Sequence, residues 1–443
     1  MTDRKTTVGF IALGCPKNMV DSERMLAEIA QAGLLISANP YSADVVVINT
    51  CGFIAPAKAE AIQTIRHAVA SKHKGKIKKI IVAGCLSQRM GAELFNEVKG
   101  IDAVVGLSER DKIADIIKNT VISDQAVSYL EHICQLPPSD KTRLRITPKH
   151  WAYLRISEGC DHRCAFCTIP FIRGRFKSKP LEIILEEAKE LADSGAVELN
   201  LIAQDTSYYG KDLKIKDGLS TLIKKLEKIP GVKWLRLLYL YPSGITDNLL
   251  ETIAASEKVV HYFDIPLQHI NNNILKNMRR PHNKEQIYKL IEKIKIFLPD
   301  AVLRTTLIVG LPGETEKEFE ELLDFVKWAG FDCLGCFKYY PEAGTAAAQM
   351  TGQVPEKIKD QRTERLMLVQ QQLVFDINKY RVGTELTCLL DSARKGVGIG
   401  RFYGQAPEID SLCIIKNCTA KPGTFLTAKV IGVKDYDLIL RQV

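Results

Sequence analysis

Cys160-Asp-His-Arg-Cys164-Ala-Phe-Cys167 puts three thiols within eight residues, directly after the apolar run 151–156. Deprotonated Cys favours zinc, Cu(I) and iron–sulfur clusters, so the loop reads as a soft-metal site. The number three is informative. A cubane [4Fe–4S] cluster held by three Cys keeps one iron open to an exogenous ligand. A structural zinc site wants four ligands in a closed shell, which here would need His162 as the fourth. On residue types alone both stay open.

A second set of cysteines is spread along the first third of the chain. Phe-Ile-Ala-Leu-Gly14-Cys15, Val-Val-Ile-Asn-Thr50-Cys51 and Ile-Ile-Val-Ala-Gly84-Cys85 each place a Cys immediately after an apolar run. Taken singly, each reads as a small buried hydrophobe. Together they recur at one structural phase. The apolar runs 8–13, 44–49, 79–83 and 103–105 alternate with helical patterns over 21–32, 56–70 and 88–98, the mark of a parallel α/β sheet. Right-handed crossovers place successive strand ends on one rim, where such sheets bind ligands. The spacing therefore predicts that Cys15, Cys51 and Cys85 converge on a second three-thiolate site.

The middle of the chain must position the Cys160 loop. Strand-like runs at 152–156, 197–203, 234–240, 262–267, 302–309 and 334–340 alternate with helices, and six units are too few for a closed eight-stranded barrel. A six-unit partial barrel fits, with a concave side open to a macromolecule. Candidate cofactor contacts lie after its strands: Gln204 and Asp205, Gln268, and Gly310 with Gly313 in Gly310-Leu-Pro-Gly-Glu314. Asp264 and Arg304 read equally well as an ion pair inside the barrel. After a helix over 354–380, five short runs with Gly-rich turns predict a compact β-barrel.

The C-x3-C-x2-C spacing, with Phe166 before the last Cys, resembles the signature of the radical S-adenosylmethionine (SAM) enzymes. The three N-terminal Cys motifs are similar to those of the methylthiotransferase subfamily. That resemblance implies an N-terminal methylthiotransferase α/β domain (6–122), a central radical SAM (β/α)6 partial TIM barrel (146–376) and a C-terminal TRAM β-barrel (378–443). It implies two 4Fe–4S clusters and SAM as cofactors. One cluster, on the catalytic Cys160, Cys164 and Cys167, would cleave SAM to a 5′-deoxyadenosyl radical; the other, on Cys15, Cys51 and Cys85, would carry the sulfur. The two clusters would face one substrate-sized gap. Arg173-Gly174 after the Cys loop is expected to steady that loop or the substrate entrance.

Local words choose between the branches. Gly14-Cys-Pro-Lys-Asn18, Val20-Asp-Ser-Glu23, Asn49-Thr-Cys-Gly-Phe-Ile54, Gly84-Cys-Leu-Ser-Gln-Arg89, Ser157-Glu-Gly-Cys160 and Gly400-Arg-Phe-Tyr-Gly-Gln-Ala-Pro-Glu-Ile-Asp410 resemble the RimO type. The implied function is addition of a methylthio group to the β-carbon of an aspartate in small-subunit ribosomal protein S-twelve. It would use cluster-bound sulfur, two SAM, and an external electron donor and sulfur source. The alternative within the family modifies an adenosine in tRNA, and the rival outside it is a zinc-stabilised ribosome- or RNA-binding protein. Met278-Arg-Arg-Pro-His-Asn283 departs from the expected Thr near a helix start, but Asn283 can cap instead.

Composition sets the outer bounds. The chain has 443 residues, a net charge of +9 and twelve Cys. Its start, Met1–Thr7, is polar, unlike a secretory signal, and reduced thiols in a cytoplasmic protein are expected. No apolar run is long enough for a membrane span, so no membrane partner is expected. The basic run Lys72–Lys79 reads as a solvated loop. From Lys379 onward ten Lys/Arg face six Asp/Glu, a surplus that permits ribosome or RNA contact through the tail without requiring it. Cys134 has no partner at a ligand spacing and is read as non-ligating. Cys333 and Cys336, three apart on a strand, point to opposite faces and read as core; Cys388, Cys413 and Cys418 read as structural.

Overall fold

The structure, a computed structural model, describes residues 6–131 and 137–443; the polar start Met1–Lys5 and Cys134 lie outside them. It divides into two compact units: residues 1–146, 157–162 and 167–179 in the first, and 147–156, 163–166 and 180–443 in the second.

The first unit is built on a six-stranded, all-parallel sheet. Its strands are β1 (Thr7–Ala12), β2 (Leu35–Ile36), β3 (Val45–Thr50), β4 (Lys79–Gly84), β5 (Ala103–Val105) and β6 (Val127–Tyr129), in spatial order β2-β1-β3-β4-β5-β6. The near-continuous Val/Ile runs of β3 and β4 are buried on both faces, as expected of strands sandwiched between helices. Two helices begin earlier than the apolar period suggested. Pro16–Gln31 starts directly after Cys15, with Pro16 in the first turn, and Cys85–Met90 starts on Cys85 itself. Pro tolerates the first helical turn because its missing N–H has no intrahelical partner there.

The same unit holds the flanks of the Cys160 loop, closed by the short antiparallel pair β7 (Ser157–Glu158) and β8 (Lys177–Ser178). In the basic run, Lys72 pairs with Asp102 at 2.5 Å, Lys78 with Asp44 at 2.9 Å, and Lys79 reaches both Asp102 and Asp124.

In the second unit six parallel strands form an open sheet. They are β9 (Trp151–Arg155), β10 (Glu198–Ile202), β11 (Trp234–Leu237), β12 (Val259–Gln268), β13 (Val302–Val309) and β14 (Cys333–Lys338), consecutive from one edge to the other. This is the partial barrel of six β/α units. Asn283 caps the helix Lys284–Phe297 through a reciprocal pair with Gln286. Beyond the helix Glu356–Arg381, β15 (Glu385–Arg394), β16 (Val397–Phe402), β17 (Cys413–Lys416), β18 (Phe425–Lys434) and β19 (Asp437–Gln442) close a five-stranded barrel in the order β15-β16-β17-β19-β18. Cys388, Cys413 and Cys418 are buried in it. Among the described residues no helix is long and apolar enough to cross a membrane.

The segment 400–410 seals the end of the central sheet where its strands begin. Glu198, fully buried on β10, accepts from Arg236 Nε at 2.9 Å and from Arg401 Nη1 at 2.7 Å. Tyr262 donates to Asp410 at 2.6 Å, Tyr153 to Glu408 at 3.1 Å, and Arg304 pairs with Asp264 at 2.8 Å. Glu198→Ala would leave Arg236 and Arg401 buried without their shared carboxylate, and breaking such a pair costs about 3–5 kcal/mol. A lowered urea midpoint, followed by tryptophan fluorescence, checks this. With that end closed, the strand-end rim opposite is where the central sheet can meet a substrate.

Candidate functional site

Cys15, Cys51 and Cys85 are brought together by close backbone approach at the ends of β1, β3 and β4. Gly14 sits at φ 97°, and a Cβ there would lie 2.8 Å from Cys51 Cβ. Gly52, after Cys51, passes so close to the next element that a Cβ would fall 2.7 Å from Leu86 Cα. Asn18 ties the loops: its Nδ2 donates to Leu13 O at 2.7 Å and to Thr50 O at 3.0 Å, while its Oδ1 lies 3.7 Å from Cys85 Sγ. Asn49 locks the same corner, donating to Asn18 O and Ser22 Oγ.

The thiols lie among buried charge. Arg173, almost wholly enclosed, donates through Nη1 to both Glu158 oxygens at 3.0 and 3.1 Å. Its Nη2 reaches Asn18 Oδ1 at 3.2 Å, Asp21 Oδ2 at 3.1 Å and Cys85 Sγ at 3.3 Å. Asp21 also takes Arg110 at 2.8 Å. Burial works against the Arg173 charge, but Cys85, Glu158 and Asp21 outweigh it and hold the guanidinium protonated. Burial pulls the Lys17 ammonium below its ordinary value, opposed by Cys15 and Glu158. As free thiols, Cys51 is pushed up by burial and Cys85 up to about 12 by the same cause.

This donor set fits an anionic metal–sulfur group. A coordinating thiol is deprotonated outright, and thiolates here would meet Lys17, Arg173 and, at Cys15, the N-terminus of the helix Pro16–Gln31. Among the described residues no three His, Cys, Asp or Glu side chains stand close enough to share one metal ion. A cubane, whose irons occupy separate corners, accepts thiolates set farther apart than a single zinc does.

In the Cys160 loop, Cys160 and Cys167 belong to the first unit and Cys164 to the second. On the first unit's side, Cys160 N donates to Gly174 O at 3.1 Å and Ile169 N to Cys167 Sγ at 3.4 Å. On the second unit's side, Ala165 and Phe166 pack with Ile274, Met278, Leu311 and Tyr339. Ala165 N donates to Met278 O at 3.0 Å. The aromatic before the last Cys thus anchors the loop through apolar packing.

Arg280 is a neighbour that sequence reasoning passed over. Its Nη1 lies 3.7 Å from Cys164 Sγ, Nη2 donates to Pro266 O at 2.6 Å, and its guanidinium stacks 4.6 Å over Tyr241. The only signal for it was the atypical word Met278–Asn283.

The five candidate cofactor contacts all lie on one rim of the central sheet, since its strands run parallel. Several carry visible local duties as well. Asp205 Oδ1 accepts from Ser207 Oγ at 2.6 Å and Tyr208 N at 3.2 Å, capping a turn. Gly310 N donates to Glu314 Oε2 at 2.8 Å, and Gly313 N to Gly352 O at 3.0 Å. Gln268, at φ 74°, donates to Pro266 O at 3.3 Å, and Gln204 stands half-buried beyond β10. Cys336 packs on the core, whereas Cys333 faces a cavity of about 340 Å³ with Arg304 and Asp410.

Comparison with known proteins places these features in a wider group. Residues 154–326 match the radical SAM superfamily, residues 7–106 an uncharacterized protein family designated UPF0004, and residues 382–443 the TRAM domain. The chain is 42% identical over 458 residues to the ribosomal protein uS12 methylthiotransferase RimO of Symbiobacterium thermophilum, covering 99% of this chain and 94% of that protein. Identity to the RimO of Pelotomaculum thermopropionicum is 45% over 440 residues, covering 97% and 98%. For the RimO of Geobacter sulfurreducens it is 42% over 442 residues, covering 99% of each.

Among solved structures, the radical SAM methyltransferase TsrM from Kitasatospora setae, with cobalamin and a [4Fe–4S] cluster bound, aligns at a TM-score of 0.53 and 13% identity. The alignment covers 89% of this chain and 81% of TsrM. The cobalamin-dependent SAM radical enzyme OxsB aligns at 0.53 and 11% identity, covering 83% of this chain and 56% of OxsB. At such identities the likeness concerns the fold.

Proposed function

Because the chain belongs to the family of ribosomal protein uS12 methylthiotransferases, we propose that its own residues divide that reaction between two metal sites. The activity is radical SAM methylthiolation of an aspartate β-carbon in uS12, with two 4Fe–4S clusters and SAM as cofactors. Cys160, Cys164 and Cys167 would hold one cluster, and Cys15, Cys51 and Cys85 the other. When bound, these groups supply a 5′-deoxyadenosyl radical and a methylated sulfur.

The chain's part is to hold, orient and exclude. Gly14 and Gly52 let the three N-terminal thiols approach, and Asn18 fixes their loops. Lys17 and Arg173 provide buried positive charge for an anionic group. Phe166 and Arg280 restrain the Cys164 segment. Gln204, Asp205, Gln268, Gly310 and Gly313 are proposed to line the SAM site. For Asp205 the cap uses Oδ1, and for the two glycines backbone contact with SAM is compatible with the turns they shape. The sealed opposite end leaves the strand-end rim for the ribosomal protein, and the TRAM barrel is proposed to contact ribosomal RNA nearby. An external electron donor and an external sulfur source complete the reaction, which on a ribosomal substrate belongs in the cytoplasm.

The observation that carries this reading is the convergence of Cys15, Cys51 and Cys85 beside buried cations, in a chain that also bears the C-x3-C-x2-C loop. Mass spectrometry on a strain lacking the chain tests the substrate. The uS12 peptide should lose the mass of one methylthio group in place of hydrogen, and tRNA nucleosides should be unchanged. A loss confined to the tRNA nucleosides would reassign the substrate.

A further inference from the structure

Arg173 is a charged neighbour of one of the proposed ligand sulfurs. It lies six residues beyond Cys167, yet its guanidinium donates to Cys85 Sγ at 3.3 Å. Nη1 is fixed by Glu158, two residues before Cys160, and Nη2, which reaches Cys85, is shared with Asn18 and Asp21, which follow Cys15. Its side chain is 1% exposed, as is that of Asp21. Little solvent is present to screen this charge, so it acts on Cys85 at close range. A planar fork held by two carboxylates is a fixed device, which a lysine's point charge cannot reproduce.

Resting on the assignment of Cys15, Cys51 and Cys85 as cluster ligands, we propose that Arg173 is a positioning residue that sets the reduction potential of that cluster, with Asp21 as its counterweight. Hydrogen bonds and net charge around cluster sulfurs are what tune such potentials. A cation donating to Cys85 Sγ favours the more negative, reduced state and so raises the potential. Asp21 partly neutralises that cation and so lowers it. The two side chains touch each other but act with opposite sign, which a purely structural pair would not do.

The test uses the full-length chain with Cys160, Cys164 and Cys167 replaced by alanine, so that one cluster is observed alone. Iron is counted and the potential is read by EPR during anaerobic titration with dithionite and mediators. This parent should bind about four irons. At the parent's midpoint, Arg173→Gln should carry at least tenfold less reduced relative to oxidised cluster, a downward shift of about 59 mV for a one-electron couple. Arg173→Lys should fall between the two, and Asp21→Asn should shift upward.

If Arg173→Gln loses its iron, Asp21→Asn, which keeps Arg173, decides alone. Unchanged potentials in iron-loaded variants, or shifts of the same sign in Arg173→Gln and Asp21→Asn, would overturn the tuning role. A parent that binds no iron would overturn the ligand assignment instead.

Discussion

Replacing Cys15, Cys51 and Cys85 together by alanine abolishes methylthiolation of uS12 while reductive cleavage of SAM continues. The expectation follows from where these thiols stand. All three belong to the first unit's strand-end rim, where Cys85 meets Asn18 and Arg173 and Gly14, beside Cys15, packs closely on Cys51. None of the candidate SAM contacts, Gln204, Asp205, Gln268, Gly310 or Gly313, belongs to that unit. Removing the thiols therefore alters no residue of the rim proposed to bind SAM. Methylthiolated peptide should fall more than about 100-fold, beyond the 10–100-fold typical of changes outside the ligand shell. The readouts are 5′-deoxyadenosine by chromatography and modified uS12 peptide by mass spectrometry. SAM cleavage lost as severely as in Cys164→Ala would contradict the division of labour.

The reciprocal change, Cys160, Cys164 and Cys167 to alanine, should remove both readings. Here the proposed cluster ligands themselves are removed, and the loop around them is anchored by backbone contacts that alanine does not disturb. Gly174 O still accepts from residue 160, and Met278 O from Ala165. Folding should persist while both SAM cleavage and methylthiolation fall more than about 100-fold. The two triple variants thus differ in one measurement only, SAM cleavage, and that difference separates the sites.

How much of this could be read from the sequence depended on distance along the chain. The placement of Cys15, Cys51 and Cys85 was legible because it needs only local facts: an apolar run makes a strand, and a residue after it stands on the rim. The six-unit sheet and the small closed barrel were legible for the same reason. The helix start at Pro16 is also a local feature, marked by the proline after Cys15, although the apolar period begins only at Asp21.

From the sequence, Arg173 is expected to steady the Cys loop or the substrate entrance. Its contacts with Cys85 and Asp21 span 88 and 152 residues, and no periodicity encodes such a pairing. The word Gly400–Asp410 was legible as a family feature but not as a seal, because Arg401 meets Glu198 from 203 residues away. Asp205 shows the converse: a polar residue after a strand invites a cofactor role, while its nearest partners are Ser207 and Tyr208.

Iron counting on anaerobically purified protein, with Mössbauer spectra of the parent and of both triple variants, tests the central claim most directly. The parent should be brown and hold about eight irons in two cubanes, and each triple variant should hold about four. Colourless, zinc-loaded protein, or a Cys15, Cys51 and Cys85 variant that keeps all of the parent's iron, would contradict it.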